Sequence, residues 1–338
     1  MADIVVIGAG PAGLVCAGAL ARAGAEVVVL DKGRGVGGRC ATRRVEGQPV
    51  DHGLCFLHGT DAGFLAAIDG VDGERIPGWP RVVAGRGTPC HPAAFDPASR
   101  RVAFVDGVNV FAKHLAGGLD VRTNTKVTTV AVVGGVVKVT TEAGGDIRAP
   151  TLVLALPVEQ AAALLAAVPG TPELAGPRAL LGAVRTHPCW TVIARYDGPD
   201  DPLDAEIHYP ADGALQLVVH DSSKRRHPRV RTLVLQARPS WSARHLETPD
   251  DAVATTLLAE AGALLGAWAS APAFAVAHRW RHARVDRGTG LAAPYRLALP
   301  GGVRIGIAGE AFDPVGGAEA AFRSGRRLAE RIVGGTNE

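Results

Sequence analysis

Residues 8–13 read Gly-Ala-Gly-Pro-Ala-Gly, and they fall between a short apolar run at 3–7 and a stretch to about residue 23 that suits a helix. A second apolar run follows at 25–30. In this setting Gly8 makes the tight turn out of a strand, Gly10 lets the backbone approach a pyrophosphate, and Gly13 lets helix pack against strand. Pro11 and Ala12 open the helix, whose first N–H groups are free to face an anion. Asp31 ends the second run at about the separation expected for a carboxylate that hydrogen-bonds an adenosine ribose. Strand, turn, helix and strand within about thirty residues predict a parallel, doubly wound sheet whose strands are apolar throughout because both faces are covered.

At 338 residues the chain exceeds what a single core usually organises, so two domains are expected. A net charge of +3 with dispersed arginines makes no nucleic-acid surface. The one dense basic run, Lys224-Arg225-Arg226-His227, is expected to be a solvated loop. The five cysteines (Cys16, Cys40, Cys55, Cys90, Cys189) form no CxxC pair, which points away from a disulfide framework or zinc site and toward a cytoplasmic protein with no bound metal. The apolar N-terminus lacks the basic start of a signal peptide. The apolar stretch 151–168 is interrupted by Pro157, Glu159 and Gln160, so no membrane segment is expected.

Farther along, runs at 126–133 and 136–141 flank Gly134-Gly135, a two-residue connection suited to a hairpin. Residues 149–156 read as another buried strand, and Pro157 starts an Ala/Leu-rich helix that should end near Pro169-Gly170. From about residue 171 the texture changes to separated strands, at 191–196, 214–220 and 230–237, which predict an antiparallel sheet. A helix from 250 to about 268, apolar at Val253, Leu257, Leu258 and Ala261, should cover one of its faces. A buried strand at 303–308 and a helix from about 318 close the chain. The expected architecture is α/β, with a nucleotide-binding domain (1–60, 103–170 and 290–338) interwoven with a substrate domain (61–102 and 171–289).

The segment after Asp31 decides which dinucleotide is bound. Residues 31–44 read Asp-Lys-Gly-Arg-Gly-Val-Gly-Gly-Arg-Cys-Ala-Thr-Arg-Arg, where glycines alternate with the forked donors of Arg34 and Arg39. This segment resembles the second glycine motif of flavin amine oxidases and, most closely, of the renalases. The resemblance continues through Asp51-His52-Gly53, Gly107-Val108-Asn109 and Leu154-Ala155-Leu156-Pro157, and more weakly through Pro188-Cys189-Trp190 and His278-Arg279-Trp280-Arg281. It implies a Rossmann-type FAD domain joined to an antiparallel-sheet substrate domain, as in amine oxidases and p-hydroxybenzoate hydroxylase. Ile307-Ala308-Gly309-Glu310 resembles the strand-end Gly-Asp that meets the ribityl and pyrophosphate groups. Residues 316–325 resemble the helix whose N-terminus faces the flavin pyrimidine, a position where the dipole favours negative charge.

The implied cofactor-binding residues are therefore Gly8, Gly10, Pro11, Ala12, Gly13, Asp31, Lys32 and Arg34, followed by Gly38, Arg39, Thr42 and Val127. Gly309, Glu310, Glu319 and Ala320 complete them. With no cysteine in 313–325 to tether a flavin, the FAD is expected to be non-covalent. His52, Trp190, Trp280 and Arg281 are expected on the substrate side, Trp190, Trp280 and Arg281 meeting an aromatic ring and a phosphate. His187, His220, His278 and His282 are further candidates for proton transfer, but hydride transfer to flavin needs little of it, and no general base is assigned. The resemblance implies an oxidase that takes hydride from 2- or 6-dihydro isomers of NAD(P)H, returns NAD(P), and passes electrons to oxygen to give hydrogen peroxide. An amine oxidase or desaturase on the same fold, and a non-enzymatic flavin-binding module, are the alternatives.

Overall fold

The computed structural model describes residues 2–166, 168, 172–198, 203–228 and 230–334. A six-stranded sheet runs in the order Tyr295–Ala298, Arg304–Ile307, Thr151–Leu154, Ile4–Ile7, Val27–Leu30, Asp120–Arg122. All neighbours are parallel except the first pair. Every residue of Ile4–Ile7 and Val27–Leu30 is buried. The helices Pro11–Arg22 and Gly317–Val333 cover one face through Leu14, Leu20, Leu328 and Ile332. These two helices meet closely: a Cβ added at Gly325 would lie 2.1 Å from the Ala12 carbonyl oxygen. On the other face lie Val158–Ala166 and a three-stranded meander, Val127–Val133, Val136–Thr141 and Asp146–Ala149. Gly134 and Gly135 turn its first hairpin with φ of 59° and 78°, the left-handed pair that matches strand twist.

A second six-stranded sheet has the order Phe274–Val285, Thr186–Tyr196, Arg231–Ala237, Leu215–His220, Ile207–His208, Val83–Ala84, antiparallel except for its last pair. The helix Asp250–Leu265 covers one face, packing Val253, Leu257 and Ala261 against Trp190, Val192, Ala194 and Leu235. It stops short of the expected residue 268 because Gly266 turns the chain at φ 109°. A small sheet of Leu57–Gly59, Arg100–Phe104 and Arg75–Pro77 takes strands from both sides of the expected breaks at 60 and 102. The Pro169-Gly170 junction lies outside the described residues. No helix among the described residues is long and apolar enough to cross a membrane.

The expectation for the basic run is overturned. The basic run at 224–227 is not a solvated loop throughout: Lys224 is fully buried and lies 2.6 Å from both Asp51 and Asp221. Arg225 joins the same cluster, 2.5 Å from Asp221. A buried cation is tolerated when carboxylates surround it, and here the two acids lie 173 and three residues away in sequence.

Candidate active site

The in-register pairs Ile7 with Leu30, Ile7 with Leu154, and Leu154 with Ile307 place Gly8, Asp31, Ala155 and Ala308 level at the carboxyl edge of the parallel sheet. The strand order reverses direction at Ile4–Ile7, and ligands of open α/β sheets bind at such a switch point. A cleft of about 1130 Å³ opens there and extends to the face of the second sheet opposite the Asp250–Leu265 helix.

The glycine turn has two kinds of space around it. A Cβ at Gly8 would lie 2.4 Å from the Ala155 carbonyl oxygen, and one at Gly13 would lie 1.9 Å from the Gly8 oxygen, so both are required by protein packing. A Cβ at Gly10 would meet nothing within 4 Å and would enter the cleft. Gly10 caps the helix without a side chain, leaving the N–H groups of the first turn directed at that space. A polyanion fits this donor set. Asp31 accepts from the Ala9 and Gly33 N–H groups, both at 2.7 Å, and still faces the cleft. The second glycine loop docks on the first, Gly37 N donating to Ala9 O at 2.8 Å, with Gly38 3.7 Å from Gly10 as measured from a built Cβ. Lys32 and Arg34 are exposed at the lip, where Lys32 reaches Gln160 at 3.3 Å. Thr42 and Val127 also line the cleft, and Thr42 donates to Asp51 at 2.6 Å.

Arg39 and Glu310 form an ion pair of 2.5 Å across the middle of the cleft. The other Glu310 oxygen accepts from Gly317 N at 3.0 Å, so this carboxylate also caps the C-terminal helix. The helix presents Gly317, Ala318 and Ala321 to the cleft, and Gly309 lines it as well. Glu319 and Ala320 lie on the other side of the helix. The Glu319 carboxylate is buried and accepts from the N–H groups of Thr60 at 2.7 Å and Asp61 at 2.5 Å. Ala320 is wholly buried. Helical periodicity separates these positions from 317, 318 and 321.

On the substrate-side wall, His52, His278 and Trp280 form an aromatic cluster with ring centroids 4.4–5.3 Å apart. Trp280 donates from Nε1 to the His52 carbonyl at 3.2 Å. Burial, followed by the neighbouring His278, pulls the His52 imidazole down to about 4. Burial and then Arg287 and Arg101 do the same to His58, also to about 4. Trp190 is not in this wall. Its ring is fully buried on the helix-covered face of the sheet, with Nε1 donating to His245 O at 2.9 Å. Side chains alternate along a strand, so the cleft sees Cys189 instead. Arg281 is exposed at the rim, held at 2.6 Å by Glu247. Phe56, His58, His91, Tyr209, Gln236 and Arg284 complete the wall, and no sequence motif singles them out. The polar run at 278–284 is the available signal for Arg284 alone.

The family described as NAD(P)-binding Rossmann-like domain matches residues 6–67, and that described as flavin containing amine oxidoreductase matches residues 79–333. The chain is 40% identical to putrescine oxidase of Kocuria rosea over 67 residues, 20% of this chain and 14% of that protein. The matched segments thus span 14% of the length of the curated relatives. The structure of putrescine oxidase bound to putrescine aligns with a TM-score of 0.72 at 16% identity over 98% of this chain and 99% of that one. Cyclohexylamine oxidase from Brevibacterium oxydans IH-35A aligns with a TM-score of 0.72 at 14% identity over 99% of both chains. These alignments establish the fold. Because the second family match takes in most of the sequence, and the glycine cradle suits a dinucleotide, the chain belongs to the flavin containing amine oxidoreductase family, with FAD as its cofactor.

Proposed function

We propose that the protein is an FAD-dependent oxidase of the renalase type, taking hydride from a dihydronicotinamide dinucleotide reduced at the 2 or 6 position. In this reading residues 1–60, 103–170 and 290–338 form the FAD domain, and 61–102 and 171–289 form the substrate domain. Gly8, Gly10, Pro11 and Ala12 meet the pyrophosphate, Asp31 the ribose, and Arg39 with Glu310 the middle of the cofactor. When bound, FAD supplies a two-electron acceptor at N5. Loss of hydride makes the dihydropyridine ring aromatic, and the hydride, one proton and oxygen combine to hydrogen peroxide. The protein's part is orientation. Trp280 and the neutral His52 offer an aromatic wall, their rings tilted by 33°, and no proton need be removed from the substrate.

The observation that carries this reading is the charge of the wall. Beyond the glycine loops Arg279, Arg281 and Arg284 face only two carboxylates, Asp250 and the Glu247 that bridges Arg279 and Arg281, while Glu310 is already paired with Arg39, so one positive charge is left over. A protonated amine would meet repulsion there, whereas a phosphate-bearing donor would not. Amine oxidation is the second reading, favoured by the cluster of His52, His278 and Trp280, which suits a deprotonated amine, and by the amine oxidases among the relatives. Anaerobic stopped-flow with 2-, 6- and 4-dihydronicotinamide dinucleotides beside primary and secondary amines distinguishes the two. Rapid flavin bleaching by the 2- or 6-isomers is expected. Rapid bleaching by amines alone replaces the proposal with the second reading.

A further inference from the structure

Among the described residues, the arginines that line the substrate side of the cleft each touch a carboxylate, with one exception. Arg39 pairs with Glu310, and Arg279 and Arg281 both pair with Glu247. Arg284 has only neutral partners: Gln216 Oε1 at 2.8 Å, Gln236 Oε1 at 3.1 Å and the side chain of Cys90. No Asp or Glu among the described residues forms an ion pair with it. Gln236 is itself buried and fixed, because its Nε2 donates to the Gly53 carbonyl at 2.7 Å, which turns its oxygen toward Arg284. The guanidinium is thus held in place before any ligand arrives, directly behind the loop that carries His52.

A second observation points the same way. His91 lines this part of the cleft, and its Nδ1 is buried without a hydrogen-bond partner. Its ring lies 5.4 Å from that of His58. Burial and then the charge of Arg284 keep His91 well below its ordinary value, so it adds a donor and no charge. A half-buried cation with no carboxylate partner, in the same cleft as a ring nitrogen buried without a hydrogen-bond partner, is costly unless something completes both.

We propose that Arg284 anchors an oxyanion group of the substrate, a carboxylate or phosphate, with His91 as a neutral hydrogen-bond partner, making Arg284 the residue that selects anionic over neutral or cationic substrates. The inference rests on the reading that this cleft receives the hydride donor. It commits further to where that donor's negative charge sits.

Calorimetric titration of the FAD-loaded protein with benzoate, phenyl phosphate and the neutral benzamide tests it without turnover. One of the two anions is expected to bind at least roughly 10-fold more tightly than benzamide, as a charge-assisted hydrogen bond supplies. Which anion leads identifies the group as carboxylate or phosphate. Arg284→Met should abolish that preference while benzamide binding stays unchanged, and Arg284→Lys should restore part of it. Equal affinity for all three probes, no binding of any, or an anion preference kept in Arg284→Met overturns the inference. If Arg284→Met fails to fold, the comparison in the unaltered protein and in Arg284→Lys still decides. An Arg284-dependent anion preference in a protein whose flavin the dihydronicotinamides do not bleach would sink the proposed substrate and leave the anion site standing.

Discussion

Lys224 Nζ lies 2.6 Å from Asp51 Oδ2, and neither side chain has any contact with solvent. The pair joins the end of the Gln48–Asp51 strand, immediately before His52, to the turn that follows the Leu215–His220 strand. Burial alone would raise the Asp51 carboxyl, but the charges of Lys224 and Arg225 and hydrogen bonds from Lys224 and Thr42 outweigh it and hold the group below the usual range. Replacing Lys224 with Met leaves two buried carboxylates with one partner, and should destabilise the fold by about 3–5 kcal/mol. The midpoint of urea unfolding reads this directly. Because the Asp51 value is lowered, the stability it contributes is present above the unfolded carboxylate value and lost as pH falls below it. The variant should therefore lose part of the acid sensitivity of the parent.

Gly10 and Gly13 should fail in different ways. Leu at position 10 would project into the cleft and touch no protein atom through its Cβ. The apoprotein should keep its melting temperature while FAD content falls to near zero. Val at position 13 would drive into the Gly8 carbonyl and the Ala155 side chain, so the apoprotein itself should not fold. Melting curves of the two apoproteins separate these outcomes, and full FAD occupancy in Gly10→Leu would show that the cradle is misassigned.

The buried histidines predict a pH dependence of stability. His52 and His58 stand at about 4 in the folded protein against an ordinary value of 6.5. Protonation favours the unfolded chain, so stability is fully present above about 6.5, declines as pH falls toward 4, and levels off below it. Each contributes on the order of 3 kcal/mol across that window. His58→Asn should flatten the stability profile between pH 4 and 6.5. A profile as steep as the parent's would refute the assignment.

Trp190 and Trp280, which the sequence places on one substrate wall, should separate by assay. Trp190→Ala removes a fully buried indole from the packing under the Asp250–Leu265 helix, at about 3–5 kcal/mol. Trp280→Leu takes away the ring beside His52. It should leave the unfolding midpoint nearly unchanged and slow anaerobic flavin reduction by roughly 10-fold or more through lost orientation.

How much of the fold and the site is legible in the sequence depends on range. Gly8 to Asp31 is legible because turn, helix start and strand end are all determined by neighbours within a few residues. Gly134-Gly135 is legible for the same reason. Lys224 reads as solvated because its identity as a buried ion depends on Asp51, which no local pattern connects to it. Trp190 reads as facing the substrate because a continuously apolar strand does not reveal which side meets a helix. Glu319 carries a similar lesson, since only the position of the loop at Thr60 and Asp61 explains where its carboxylate points. Arg284 is notable for lacking a carboxylate partner, and an absence of that kind is invisible in a sequence.

The close seating of Gly325 against Ala12 has a consequence for biosynthesis. The helix that packs against the glycine turn, and the Arg304–Ile307 strand that flanks its sheet, emerge from the ribosome some three hundred residues after that turn. At 5–20 residues per second that interval is roughly 15–60 s. Throughout it, Leu14 and Leu20 face outward with no partner from the Gly317–Val333 helix. Nascent chains should therefore draw on chaperones that shield apolar surface, and cofactor loading should wait until the Gly317–Val333 helix has emerged.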